Sequence, residues 1–389
     1  ETDLTHLVAW YRESKKKFDE DPVFKKQSQE EVVSLQSGEA QSLRAWEIIC
    51  DISRKAYQEV YDLLDIDITE RGESFYNPRL SGVVASLEDK GIVEVSNGAK
   101  CLFMDGFENR EGDPLPLIIQ KSDGGYNYAT TDLAAFCHRV DEEKADHLIY
   151  VTDAGQALHF KMIFTAAKKA GWLNSDELQV DHVPFGMVLR SDGKKFRTRS
   201  GETQSLVGLL NEACSRAYTI LEERKENLVG EDLHAIAKAI GLGAVKYADL
   251  SSHRMSDYVF SYDKMLQFEG NTATFLMYAY VRIASIKRKI TESNVSLDVN
   301  FDLESGKELD LALKNLQFAD ALEAMKKDLL PHRLTDYLYQ LAESFNAFFR
   351  DCRVEGDPRQ NIRLQLCNAT ARTLKLGLHL LGIQVVEKM

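Results

Sequence analysis

The spacing of apolar residues changes twice along this chain, and those changes constrain its fold more than any other feature. Over residues 1–90, Leu35, Trp46, Ile49, Ile52, Ala56, Val60, Leu63 and Leu64 recur at roughly helical spacing. Near residue 92 the period becomes that of strands. Ile92-Val93-Glu94-Val95, Asn97-Gly98 and Cys101-Leu102-Phe103 read as a hairpin, with an Asn-Gly pair supplying the positive φ angles of a tight turn. From there to about residue 190 short apolar strands alternate with helices. Leu117-Ile118-Ile119 is followed by a helix that Thr130 or Thr131 can cap and that runs through Leu133, Ala134 and Phe136. Leu148-Ile149-Tyr150-Val151 leads to a helix through Phe160, Ile163 and Ala167, and residues 183–189 form a third strand. Such alternation implies a parallel sheet with ligand crevices at the strand ends.

After residue 203 the pattern is helical to the end. Leu334, Tyr337, Leu338, Leu341, Phe345 and Phe348 form one stripe; Ile362, Leu366, Leu374, Leu378 and Leu381 form another, closed by Gly382. The spacing predicts a helical bundle of about 120 residues. The expected fold is α/β plus all-α: a helical insert with a β-hairpin (1–116), part of a Rossmann-type domain (117–202), a helical connecting segment (203–264) and a helical bundle (265–389). The chain enters a helix immediately after Glu1, which reads as a cut through a longer protein, whereas the end at Met389 reads as natural.

A net charge of −13 argues against a general nucleic-acid binder, because phosphate affinity comes from Lys and Arg contacts. Two local basic runs remain: Arg190, Lys194, Lys195, Arg197 and Arg199, and Arg282, Lys287, Arg288 and Lys289. Charge alone leaves both open as solvated faces. No apolar run approaches the ~20 residues of a membrane span. The six cysteines are scattered without a Cys-x-x-Cys pair, so they read as reduced thiols of a cytosolic protein, and no metal site is expected.

Five constellations carry chemistry. Lys194-Lys195-Phe196-Arg197-Thr198-Arg199 follows directly on an expected parallel strand, where a basic loop can stabilise charge on a transferring phosphate. No Gly-x-x-x-x-Gly-Lys loop is present, so a nucleotide is not held in the P-loop manner. In the run from Asp123-Gly124-Gly125 to Asp132-Leu133-Ala134, Tyr128 and Asp132 are four residues apart and share a helix face if the helix starts early. A carboxylate there can take a guanidinium through two parallel hydrogen bonds; a helix-dipole acid is the plainer alternative. Gln156 and His159 follow the strand that ends near Asp153, where ligands of parallel sheets bind, although caps and satisfied polar groups are common there too.

The fourth run, Gly241-Leu242-Gly243-Ala244-Val245-Lys246-Tyr247, puts two glycines inside a helical pattern. Each costs about 1 kcal/mol against alanine, so close packing or contact with another backbone is the expected reason. In the fifth, Tyr278 and Arg282 lie four apart, side by side as a flat ring and a planar cation, the kind of platform on which unpaired bases stack. An aromatic stripe is otherwise ordinary core.

The stretch His182-Val183-Pro184-Phe185-Gly186-Met187-Val188, running on to Phe196-Arg197-Thr198-Arg199, resembles the adenine-binding strand and KMSKS-type loop of class I arginyl-tRNA synthetases. Lys195 stands at the first lysine of that loop and Thr198 replaces the second, which leaves Lys195, Arg197 and Arg199 as candidate catalytic cations. The resemblance extends from roughly residue 5 to 389 and includes Gly72-Glu73-Ser74 and the 241–250 run. It implies a partial Rossmann-type class I synthetase catalytic domain followed by an anticodon-binding bundle. It assigns Tyr128, Asp132 and Gln156 to an arginine pocket, and Phe185, Gly186, Met187, Val188 and His159 to ATP. It places Tyr278, Arg282, Phe349 and Met389 at the anticodon.

The activity so implied is an arginine–tRNA ligase, using ATP with Mg2+ and taking L-arginine and tRNA(Arg) as partners. A monomer with no membrane partner is expected, in the cytoplasm with an organelle left open. The family's His-x-Gly-His motif, which grips ATP phosphates, has no counterpart among the nine histidines, so it is expected before Glu1 and residues 1–389 alone are expected to be inactive. The alternative is a non-catalytic tRNA-binding or assembly fragment, for which the intact pocket residues would have no use. A dinucleotide oxidoreductase fails because no Gly-x-Gly-x-x-Gly turn follows a strand.

Overall fold

The computed structural model describes residues 4–174, 176–190, 192–194, 205–223, 228, 232–290 and 302–389. Lys195, Arg197 and Arg199 lie outside the described residues.

The chain opens with three helices, α1 (Leu4–Glu20), α2 (Pro22–Gln36) and α3 (Ala40–Leu64). Asp21 starts α2: its side chain accepts hydrogen bonds from Val23 N and Phe24 N, and Pro22 has the fixed φ suited to the first helical position. A 3-10 turn (Glu73–Arg79) leads into α4 (Leu80–Asp89), whose Leu80, Val83, Val84 and Leu87 are buried. The hairpin follows as expected, with β1 (Glu94–Ser96), β2 (Ala99–Leu102) and a turn in which Asn97 and Gly98 take φ of 48° and 76°.

At β3 (Leu117–Gln120) the structure departs from the expected parallel sheet, because β3 pairs antiparallel with β2. The reason is the partner strand, since β2 brings Leu102 opposite Leu117 in one core. Leu117 and Ile119 face the core while Ile118 is exposed, the alternation of an antiparallel strand with one solvated face. The cap of α5 (Tyr128–Asp141) also differs, since Asn127, not a threonine, accepts from Ala129 N. Thr130 is fully buried and donates its hydroxyl to Ile119 O at 2.5 Å, which ties α5 to β3.

The parallel sheet consists of β4 (His147–Asp153) and β5 (Gln179–Phe185), joined by α6 (Ala157–Lys169). The third expected strand is two strands. It breaks after Phe185, and β6 (Val188–Leu189) pairs instead with β7 (Tyr258–Val259). Gly186 makes the break: a Cβ there would stand 2.7 Å from Ser256 O, so only glycine lets the two backbones approach.

Helices fill most of the remainder: α7 (Leu206–Glu222), α8 (Leu233–Ser251), α9 (Tyr262–Met265), α10 (Ala273–Lys289), α11 (Gly306–Leu316), α12 (Phe318–Asp328), α13 (His332–Asp351) and α14 (Gln360–Leu380). They share one core, in which the whole 334–348 stripe is buried. On α14 the buried face is completed by Leu364 and Cys367, while Ile362 is only half-buried. Gly382 takes φ of 69° and ends that helix, as expected. Lys246 on α8 donates to Gly382 O at 2.6 Å and to Leu64 O, joining the bundle's end to the end of α3.

The α8 glycines do pack closely. A Cβ on Gly241 would lie 2.6 Å from the backbone of Cys214 on α7, whereas one on Gly243 would meet the Met277 methyl at 2.7 Å. Overpacking costs about 1–3 kcal/mol, and backbone cannot rotate aside as a methionine end can. That cost exceeds the roughly 1 kcal/mol of helix propensity gained. Gly241→Ala is therefore expected to lower the midpoint of a urea melt, and Gly243→Ala to change it little; equal effects would contradict this packing account.

Candidate active site

The C-terminal end of β4, the 3-10 turn Ala154–Gln156 and the first turn of α6 form a ledge facing the start of α5. Because α5 begins at Tyr128, Tyr128 and Asp132 sit one turn apart on one face. His159 Nε2 lies 2.6 Å from Asp132 Oδ2, and the Tyr128 ring packs edge-on against the His159 ring at 5.0 Å. With Asp132 ionised, the imidazole donates from Nε2 and fixes the carboxylate's plane. The Asp132 side chain keeps 30% of its surface exposed, so the held carboxylate remains open to a ligand.

Gln156 stands one turn before His159 but bonds elsewhere, donating from Nε2 to Asp153 Oδ2 at 3.2 Å. The Gln156 amide and the Gly155 N–H hold the Asp153 carboxyl below its ordinary range. Asp153 thus shapes the turn that carries Gln156. Sequence reasoning missed it, although an acid directly before Ala-Gly-Gln is a signal for such a cap. Behind the ledge, Thr152 Oγ1 meets His182 Nε2 at 2.8 Å, and His182 stacks on Phe160. Burial, reinforced by the Arg254 charge, pulls His182 below the ordinary imidazole range.

Phe185, Gly186, Met187 and Val188 line a cavity of about 360 Å³ with Asp249, Arg254 and Pro331 among its other walls. Their backbone is clamped by the loop before β7. Gly186 N donates to Arg254 O at 2.6 Å and Met187 N to Asp257 Oδ1 at 2.7 Å. Neither Arg254 nor Asp257 stood out as a site residue in the sequence, because lone charged residues there carry no spacing signal. His159, expected near the nucleotide, is engaged with Asp132.

In the bundle, Tyr278, Arg282 and Phe349 come together. The Arg282 guanidinium lies 4.8 Å from the centroids of both rings and donates to Asn346 Oδ1 at 2.8 Å. Asn346, one helical turn before Arg350 on α13, was not foreseen. Met389 lies half-buried against the bundle core.

Comparison with known proteins matches residues 1–262 to the family described as tRNA synthetases class I (R), catalytic domain, and residues 276–389 to the DALR anticodon binding domain. The chain belongs to the arginyl-tRNA synthetase family. The arginine–tRNA ligase of Protochlamydia amoebophila (strain UWE25) is 60% identical over 390 residues, spanning all of this chain and 67% of that protein. The arginine–tRNA ligase of Crocosphaera subtropica is 51% identical over 395 residues, with the same 67% coverage of its length. Among solved structures, the Plasmodium falciparum arginyl-tRNA synthetase superposes with a TM-score of 0.83 at 34% identity, covering 100% of this chain and 64% of that one. The Thermus thermophilus arginyl-tRNA synthetase, at 24% identity and a TM-score of 0.78 over 96% of this chain and 68% of that one, shows the same fold. The architecture is thus that of the arginyl-tRNA synthetase family, a class I catalytic domain followed by a DALR helical domain. Among the described residues no helix is long and apolar enough to cross a membrane.

Proposed function

We propose that residues 1–389 form the arginine-selecting and anticodon-binding part of an arginine–tRNA ligase, which activates L-arginine with ATP and transfers it to the 3′ end of tRNA(Arg). The observation that carries this reading is the Tyr128–Asp132–His159 cluster at the C-terminal end of a parallel strand. An oriented, partly exposed carboxylate accepts a guanidinium through two parallel hydrogen bonds. Lysine's ammonium cannot supply that planar fork. His159 serves here by orienting Asp132, and Tyr128 closes one side. Gln156, held by Asp153, would contact the substrate from the neighbouring turn.

In the proposed reaction an oxygen of the arginine carboxylate attacks the α-phosphorus of ATP and pyrophosphate leaves. A ribose hydroxyl of the tRNA terminus then attacks the activated carbonyl and AMP leaves. No side chain acts as a covalent nucleophile. Phe185, Gly186, Met187 and Val188 would hold the nucleotide, and Lys195, Arg197 and Arg199 would stabilise charge growing on the pyrophosphate. Mg2+ would arrive on the ATP phosphates, its usual mode of binding; among the described residues no three His, Cys, Asp or Glu side chains gather to hold a metal ion. The grip on the ATP phosphates is proposed to lie outside residues 1–389, a reading supported by the 67% coverage of the relatives' length. Arginine-dependent ATP–pyrophosphate exchange and tRNA(Arg) charging by the full-length gene product test the activity.

The Tyr278–Arg282–Phe349 stack is proposed as the platform for an unpaired anticodon base. Removing such a platform costs about 1–3 kcal/mol per base. Arg282→Ala is expected to raise Kd for tRNA(Arg) about tenfold or more in filter binding, with KM for arginine unchanged. An unchanged Kd would remove Arg282 from the interface.

A further inference from the structure

A cavity of about 470 Å³ opens where α7 and α8 meet the ends of α3 and α14 and the residues at β7. That volume falls within the about 300–1,000 Å³ of small-molecule sites. None of Tyr128, Asp132, Gln156 or His159 lines it. It shares Val188 and Asp249 with the 360 Å³ cavity but lacks Phe185, Gly186 and Met187. Leu64, Leu209, Val245, Leu250, Phe260 and Leu381 make its walls largely apolar. The first four are only half-buried, so apolar surface stays uncovered inside the fold. Covering it is favourable by about 25 cal/mol per Å².

The polar groups on these walls carry charge of both signs. Lys246 sits between the ends of two helices, and its ammonium donates to Leu64 O and Gly382 O. An ammonium has three donors, so a third N–H is left over. Its two acceptors are carbonyls without formal charge, and Asp65 acts on it only from a distance. Burial therefore pulls the ammonium below the ordinary lysine range. Asp249 lies three residues further along α8, on the same face, with the two Cβ atoms about 5–6 Å apart. Its side chain is exposed to the cavity, yet it sits deep enough that burial pushes the carboxyl up, which the Tyr258 hydroxyl only partly offsets. Cation and acid are thus both under-compensated within one apolar recess.

We propose that this cavity binds an apolar α-amino acid, its carboxylate on Lys246, its ammonium on Asp249 and its side chain among the leucines. Charge complementarity selects this class. A ligand carrying only a carboxylate would face Asp65 and Asp249, and one carrying only an amine would face Lys246. An α-amino acid brings both charges on one carbon, at a spacing that neighbouring helix positions can meet. Arginine is excluded, because its guanidinium would lie against apolar walls and lose its hydration. The proposal does not depend on the function argued above.

The test is calorimetric titration of the full-length gene product with L-phenylalanine, in saturating L-arginine so that the Asp132 pocket is filled. Saturable binding is expected with Kd of about 1 mM or tighter. 3-Phenylpropionate and 2-phenylethylamine, each lacking one charge, are expected to bind at least about tenfold more weakly, the effect of one lost charged hydrogen bond. Lys246→Gln keeps two N–H donors for the carbonyls and is expected to weaken phenylalanine binding to the same degree. Leu206→Trp narrows the cavity from an exposed wall position, leaves the Lys246 clamp alone, and gives the reading if the glutamine variant does not fold. No saturable binding to the parent, or a Kd unchanged in the folded variants, overturns the inference. Equal affinity for either half-ligand overturns the amino-acid assignment. Binding seen only without arginine would belong to the Asp132 pocket and overturns it as well.

Discussion

Asp132→Asn in the full-length gene product is expected to lower kcat/KM for arginine in ATP–pyrophosphate exchange by about 10³-fold or more while leaving the thermal melt close to that of the parent. The carboxylate's geometry gives the reason for both halves. His159 Nε2 can still donate to the asparagine oxygen, so the contact between α5 and α6 survives. What is lost is the anion, and one acceptor is replaced by an amide NH2 that turns its hydrogens toward the donors of the guanidinium. Sites built to hydrogen-bond a substrate reject an imperfect partner by factors of about 10⁴. The partial exposure of Asp132 softens that figure. A small fall in kcat/KM together with a lowered melt would mean that Asp132 is structural. KM for ATP should change far less than KM for arginine.

The largest expected effect on stability is at Glu308, far from the pocket. Glu308 is fully buried in the first turn of α11, where Ser305 and Glu308 form a capping box. Arg359 Nη2 and Arg363 Nε each donate to it at 2.8 Å, and the backbone N–H groups of Glu304 and Ser305 add two more bonds. Burial alone would push the carboxyl up, but these donors together hold it down at about 2. A carboxyl held lower in the folded chain stabilises it above the ordinary glutamate range, and that contribution is lost as pH falls from about 4.5 through about 2. Glu308→Gln takes the shared anion from two largely buried guanidinium groups and leaves Arg359 with Glu304 and Arg363 with Asp357, so the loss should fall below the about 3–5 kcal/mol typical of a buried charge left with no partner. Urea melts at pH 7 should show that loss directly. The variant should also lose less stability than the parent between pH 4.5 and pH 2. Parallel pH profiles for the two proteins would contradict the assignment.

Much of this was legible in the sequence for identifiable physical reasons. Asn97-Gly98 specified its turn because few pairs accept two positive φ angles, and the 334–348 stripe specified its buried face because helical spacing leaves no other. Tyr128 and Asp132 were legible as a pair because four-residue spacing becomes adjacency once a helix is present. Strand partners were not legible. Residues 117–119 read as a parallel strand, yet nothing in a short apolar run specifies which neighbour it meets, and pairing with β2 decided it. The break at Gly186 was hidden for the same reason, since the backbone that demands glycine lies about seventy residues further on at Ser256. Arg254 has no motif, and the Ser305-x-x-Glu308 spacing signals only a capping box; the other partners of both residues are distant in the chain.

The most direct test of the account is ATP–pyrophosphate exchange by the full-length gene product, with each of the twenty amino acids offered singly in the presence of tRNA(Arg). Exchange driven by arginine, with lysine and the others at background, is the predicted result. Exchange driven by a different amino acid, or by none, would contradict the reading of Asp132 as the guanidinium's partner and with it the function proposed here.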